Sequence, residues 1–182
     1  MSKGKLVVIS GTSGVGKGTV LGIMMEKCKD LSFSVSATTR APRPGEVDGV
    51  HYYFITKEQF EDMIRRGEFL EYDAHMANYY GTPKAQAMEK MECGSVLLDI
   101  DPNGAKQVKT SAPEAVLVFI MPPSMEELER RLRGRGDTPE DQIQLRMERA
   151  NWEMEQRLWY DHVVVNDDAE RCAEEILKII AN

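Results

Sequence analysis

Cysteine is scarce: Cys28, Cys93 and Cys172 are the three in 182 residues, with no C-x-x-C pair among them. That count and spacing exclude a disulfide framework and speak against a zinc knuckle, and they fit free thiols in a reducing compartment. Long apolar runs are missing too. The longest, Ala115 to Met121, is roughly a third of a membrane span. Behind the basic start Met1-Ser-Lys-Gly-Lys5 the apolar stretch is only Leu6 to Ile9, too short for a signal peptide. There is no excess of positive charge: 23 Lys and Arg against 30 Asp and Glu give a net charge of −7. Bulk attraction to a nucleic-acid polymer or an anionic membrane is therefore not expected, although a local basic site remains open. The three histidines, His51, His75 and His162, lack ligand spacing, so no protein metal site is predicted. No internal repeat, low-complexity tract or linker is visible. A soluble, cytoplasmic protein of one domain is the expectation, and its oligomeric state cannot be read from these residues.

What is present is an alternation. Leu6-Val-Val-Ile9, Val96 to Ile100, Val116 to Ile120 and His162 to Val165 read as strands, the middle two nearly continuous in apolar character, as in a parallel sheet covered on both faces. Phe33 to Thr39 and His51 to Ile55 read as two more strands. Helices are predicted from Thr19 to about Lys29, from a Thr56-x-x-Gln59 capping box to a stop at Gly67, and from Thr82-Pro83 to about Glu92. Three more follow Ser124-x-x-Glu127, Thr138-Pro139 and Asp168. The rhythm implies an α/β fold with a mostly parallel sheet, interrupted over 36–82 by an inserted lobe of short aromatic strands and one helix.

The sharpest motif is Gly11-Thr12-Ser13-Gly14-Val15-Gly16-Lys17-Gly18-Thr19, between a strand and a helix. Glycines let several backbone N–H groups face one anion, the helix N-terminus adds positive potential, and Lys17 supplies a point charge for outer phosphates. The strict pattern has Ser or Thr directly after the lysine. Here Gly18 stands there, which leaves open which protein group, if any, would meet Mg²⁺.

Arginines cluster at 130, 131, 133, 135, 146 and 149. Arg130, Arg133 and Arg149 are expected on a solvated face with acidic neighbours. Arg135 fits that poorly, because Gly134 and Gly136 flank it; an arginine between glycines can swing over transferring phosphates like a lid. A third group, Ser36-Ala-Thr-Thr-Arg40-Ala-Pro-Arg43 with Tyr52 and Asn78-Tyr79-Tyr80-Gly81-Thr82, could clamp a second anion. Asp99 and Asp101 end a buried strand on the sheet edge where such folds bind ligands.

Together these residues resemble the guanylate kinase family along essentially the whole chain. The resemblance is carried by Ser10 to Thr19, Ser34 to Gly49, Gly67-Glu-Phe-Leu-Glu71, Asn78-Tyr-Tyr-Gly-Thr82, Leu98-Asp-Ile-Asp101, Arg131-Leu-Arg-Gly-Arg135-Gly and Val165-Asn-Asp-Asp168. It implies a P-loop kinase: a five-stranded parallel core (1–35 and 83–182), an acceptor lobe (36–82) and an arginine-bearing lid (126–148). It implies transfer of a phosphoryl group from ATP to GMP, and to dGMP, with Mg²⁺. Carried over by position, residues 11–19 would hold the ATP phosphates and Asn166 would lie near the adenine. Ser36, Arg40, Arg43, Tyr52 and Tyr80 match the GMP-phosphate site, and Glu71, Thr82 and Asp101 the guanine site. Lys17, Arg40, Arg131, Arg135 and Arg146 would stabilise the transferring group. Two alternatives stay open at this point: a binding module of the same fold without catalysis, and a kinase for another nucleoside monophosphate.

Overall fold

The computed structural model describes residues 4–75, 77–134 and 139–182, apart from the side chain of His75. Arg135, Gly136 and Thr138, on which parts of the lid and helix-start expectations fall, lie outside the described residues.

The chain opens with strand β1 (Leu6–Gly11), buried along its whole length. Helix α1 (Lys17–Lys27) follows, then β2 (Leu31–Phe33), β3 (Ala37–Thr38), β4 (Tyr53–Phe54), α2 (Lys57–Arg65), β5 (Phe69–His75) and β6 (Asn78–Pro83). The second half runs α3 (Lys84–Lys90), β7 (Ser95–Asp99), α4 (Pro102–Ser111), β8 (Val116–Met121), α5 (Met125–Arg133), α6 (Glu140–Gln156), a 3₁₀ turn (Arg157–Trp159), β9 (His162–Val165) and α7 (Ala169–Ala181).

Five strands form one parallel sheet in the order β2-β7-β1-β8-β9. Along β1 the side chains alternate between two cores, as a strand's period of two requires. Val7 and Ile9 pack with Val20, Leu21 and Met24 of α1 and Ile176 of α7. Leu6 and Val8 pack with Ala87 of α3, and with Ala105 and Val108 of α4. Burial on both faces is why β1 and β8 read as unbroken apolar runs.

A second, mixed sheet has the order β4-β3-β6-β5. Its core is aromatic: Phe60 of α2 stacks on Phe69 at 4.3 Å between ring centroids and on Tyr79 at 5.2 Å. The capping box at Thr56 and Gln59 starts α2, and Gly67 follows it with φ +66, a left-handed conformation that suits glycine.

Three expectations need correction. The strand expected over Phe33 to Thr39 is two strands in different sheets, because the chain crosses from β2 to β3 between Phe33 and Ala37. Thr82-Pro83 does not begin a helix at Thr82: Pro83 is the N-cap, and Thr82 belongs to β6 with its hydroxyl turned inward. An unforeseen helix, α4, starts at Asp101, whose carboxylate accepts from the Gly104 N–H at 3.0 Å, with Pro102 in the first turn. Among the described residues no helix is long and apolar enough to cross a membrane.

Candidate active site

The helix ends explain where an anion would sit. α5 is capped by Ser124 and α7 by Asp168, each with acidic residues in its first turn. α1 has neither a side-chain cap nor an acid there; its N-cap is Gly16 at φ +90. Its orphan N–H groups and the positive end of its dipole are left for a ligand. Residues 11–19, with Asp101 and Glu153, line a cavity of about 410 Å³ at this point. Lys17 reaches across to Asp99 at the end of β7, Nζ to Oδ1 2.5 Å. An ammonium has three donors, so this pair leaves it capacity for phosphate oxygens.

The loop is held from behind. The Asn166 side-chain amide donates to the Val15 carbonyl at 2.7 Å, and Arg131 Nη1 donates to the same oxygen at 3.2 Å. Arg131 also donates to the Asn166 carbonyl at 3.1 Å and from Nε to Glu127 at 2.8 Å. Asn166 is buried, and a Cβ on Gly16 would stand 2.9 Å from its Nδ2. Gly16→Ala should therefore destabilise the fold by about 1–3 kcal/mol, through both the clash and the left-handed backbone. It should also weaken nucleotide binding. Denaturant unfolding and ADP titration of the variant check this.

In the second sheet, the Thr82 hydroxyl donates to Glu71 Oε1 at 2.5 Å, and both side chains are buried. Burial pushes the Glu71 carboxyl above the ordinary carboxylate range; Thr82 opposes the shift and Asp101 adds to it. A Cβ on Gly104 would lie 3.2 Å from Glu71 Oε2, so the start of α4 and Glu71 form one wall. Glu71, Thr82 and Asp101 are thus brought together from β5, β6 and the β7–α4 junction.

Arg40, Tyr52 and Tyr80 also converge. The Arg40 guanidinium lies 5.5 Å from the Tyr52 ring centroid, and the Tyr52 and Tyr80 rings meet edge-on at 6.1 Å. Glu46, which sequence reading missed, ties the two arginine positions: Oε1 accepts from Arg40 Nη2 at 2.8 Å and Oε2 from the Arg43 backbone N–H at 2.7 Å. These bonds hold its carboxyl down at about 2. Its signal was available, an acid three residues after Arg43 in a proline-glycine turn. Ser36 is half-buried at the edge of this group, and its carbonyl accepts from the Tyr53 N–H.

Arg146 is half-buried on α6, on the face shared with buried Ile143, Ala150 and Glu153. Arg149 departs from the expectation of a merely solvated pair. It bridges Glu153 (3.0 Å) and Asp101 (3.1 Å), although its side chain stays half-exposed. Among the described residues no cluster of three His, Cys, Asp or Glu side chains could hold a metal ion.

With this geometry in hand, comparison with known proteins is specific. The Guanylate kinase family model matches residues 3–182. The guanylate kinase of Prochlorococcus marinus subsp. pastoris is 49% identical over 177 residues, covering 97% of this chain and 96% of that protein. The guanylate kinase of Clostridioides difficile is 49% identical over 183 residues, covering 100% of this chain and 89% of its own. Among solved structures, guanylate kinase from Anaplasma phagocytophilum superposes with a TM-score of 0.71 at 35% identity, over 99% of this chain and 86% of that one.

Proposed function

The chain belongs to the guanylate kinase family, and from that premise we propose how its residues transfer a phosphoryl group from ATP to GMP. The observation that carries the reading is the buried Glu71–Thr82 pair beside Asp101. Guanine presents two donors, N1–H and the 2-amino group, next to the O6 acceptor. A carboxylate beside a hydroxyl complements that edge, whereas adenine would set its N1 acceptor against Glu71. The acceptor lobe is residues 36–82, with the GMP phosphate received by Ser36, Arg40, Arg43, Tyr52 and Tyr80.

The ATP phosphates lie in the loop of residues 11–19, with Lys17 on the outer ones, and Asn166 and Arg131 support the loop from behind. Residues 126–148 act as the lid, bringing Arg135 and Arg146 to the transferring group. Such a reaction needs alignment and positive charge on equatorial oxygens more than covalent help. The donor set fits Mg²⁺ carried largely by phosphates and water: Gly18 offers no hydroxyl, Thr19 is exposed, and the carboxylates beside the loop are Asp99, Asp101 and Glu153, each already engaged by N–H donors of the protein. When bound, the ion would neutralise charge on the phosphates. Free thiols at Cys28, Cys93 and Cys172 support a cytoplasmic setting.

Steady-state kinetics of Glu71→Gln test the base assignment. The substitution keeps shape but sets an NH₂ group against a guanine donor, costing about 2–4 kcal/mol. Turnover efficiency with GMP should fall at least ~tenfold, efficiency with IMP, which lacks the 2-amino group, should fall less, and the KM for ATP should hold. Equal losses for GMP and IMP would remove the 2-amino contact. The same variant should be more stable than the parent at neutral pH. Glu71 binds its proton more tightly folded than unfolded, so the parent loses stability as pH rises above the unfolded carboxyl range. The stability gain of the variant should vanish in acid, where Glu71 is protonated in both states; pH-dependent thermal unfolding reads this.

A further inference from the structure

We propose that Glu153 is a positioning residue that sets the shape of the donor-phosphate loop from α6, just beyond the lid residues. Its side chain is 5% exposed, and a carboxylate that deep needs partners to offset the loss of water. It has two. Oε2 accepts the Ser13 backbone N–H at 3.1 Å, and Oε1 accepts Arg149 Nε at 3.0 Å. Arg149 continues to Asp101 Oδ2 at 3.1 Å, and Asp101 Oδ1 accepts from Gly104 at 3.0 Å. One unbroken line of hydrogen bonds thus runs from the phosphate loop to the start of α4, against which Glu71 rests.

The Ser13 amide is engaged by Glu153 and so is not free for a phosphate oxygen. The bond fixes the Thr12–Ser13 peptide plane, one residue before Gly14, which sits at φ +85. From that plane the N–H groups of the following residues take their direction. Arg146 lies seven residues before Glu153 on the same face of α6, so loop and lid arginine share one reference. Misplacing such groups by about 1 Å is enough to cost large factors in rate. Arg149 keeps the carboxylate aimed, which an apolar side chain at that helix position would not do.

The inference rests on the reading of residues 11–19 as the donor site, and the test separates the two. ADP affinity, GMP affinity and kcat are measured for Glu153→Ala, Glu153→Asp, Glu153→Gln and Lys17→Ala, with thermal unfolding alongside. Glu153→Ala should bind ADP about tenfold more weakly and turn over about tenfold more slowly, with GMP affinity within about twofold. Glu153→Asp keeps the charge but loses reach, and should weaken ADP about fivefold. Glu153→Gln can keep its oxygen on the Ser13 N–H, while half-exposed Arg149 turns to Asp101 and water, and should stay within about threefold of the parent. Should the alanine variant not fold, the contrast of Asp against Gln carries the test. Equal behaviour of those two, or GMP and ADP weakened alike, would overturn the positioning role. Unchanged ADP affinity in Lys17→Ala would overturn the donor-site reading instead.

Discussion

Replacing Lys17 with alanine should all but abolish turnover, with kcat down about 10²- to 10³-fold, while the protein stays folded. The ammonium leaves the first residue of the uncapped α1 and is anchored on Asp99 at 2.5 Å. Without it the outer phosphates would face the loop amides alone, and the charge developing during transfer would lack its nearest counter-ion. One such contact is worth about 3–4 kcal/mol in a transition state. Stability is a different matter. Asp99 is nearly half exposed, so water can take over the solvation of its carboxylate, and a partly exposed ion pair contributes about 0–1 kcal/mol. Thermal unfolding should shift by only a few degrees. A variant of near-normal activity would show that this loop does not carry the donor phosphates.

The second large effect is expected at Arg146. Arg146→Lys keeps a positive charge but loses the planar fork that grips two phosphate oxygens. The residue sits on the α6 face that carries buried Ile143, Ala150 and Glu153, and Glu153 lines the phosphate-loop cavity. A group that meets only the transferring phosphoryl should lower kcat and leave ground-state binding alone. A fall in kcat of about 10²-fold is expected, roughly 3 kcal/mol, with the KM for GMP within about threefold. Stopped-flow or steady-state assays at saturating ATP measure both. A change confined to GMP affinity would move Arg146 out of the lid and into the acceptor site.

Much of this was legible in the residues because local chemistry and tertiary role coincide there. The strand, glycine loop and helix from Leu6 to Lys27 announce themselves through apolar run, φ-permissive glycines and helical spacing. The caps at Thr56, Ser124 and Asp168 are short-range hydrogen bonds, so short-range sequence predicts them. What was not legible depends on partners far along the chain. α4 is hard to read because Asp101-Pro-Asn-Gly looks like a turn and the helix buries only small residues, Pro102, Gly104, Ala105 and Val108, amid polar ones. Thr82 looked like an N-cap because the hydroxyl before a proline usually serves that end; its real partner, Glu71, lies on the neighbouring strand. Arg149 looked solvated because Glu153 is its i,i+4 neighbour, a spacing typical of exposed helix pairs, yet Glu153 is buried against the Ser13 amide 140 residues away in sequence. Glu46 is the exception: its two donors, Arg40 and the Arg43 N–H, are local, and an acid three residues after Arg43 in a proline-glycine turn is a signal the sequence does carry.

The central claim is that this chain phosphorylates a monophosphate chosen by its guanine edge. It is tested most directly by following ADP release from ATP and Mg²⁺ with GMP, dGMP, AMP, dTMP and CMP offered in turn. The account predicts rapid ADP release with the guanine nucleotides and, with the others, a rate lower by at least ~10²-fold, because the buried Glu71–Thr82 pair would be left mismatched. Comparable turnover with AMP or a pyrimidine acceptor, or no turnover with any acceptor, would contradict it.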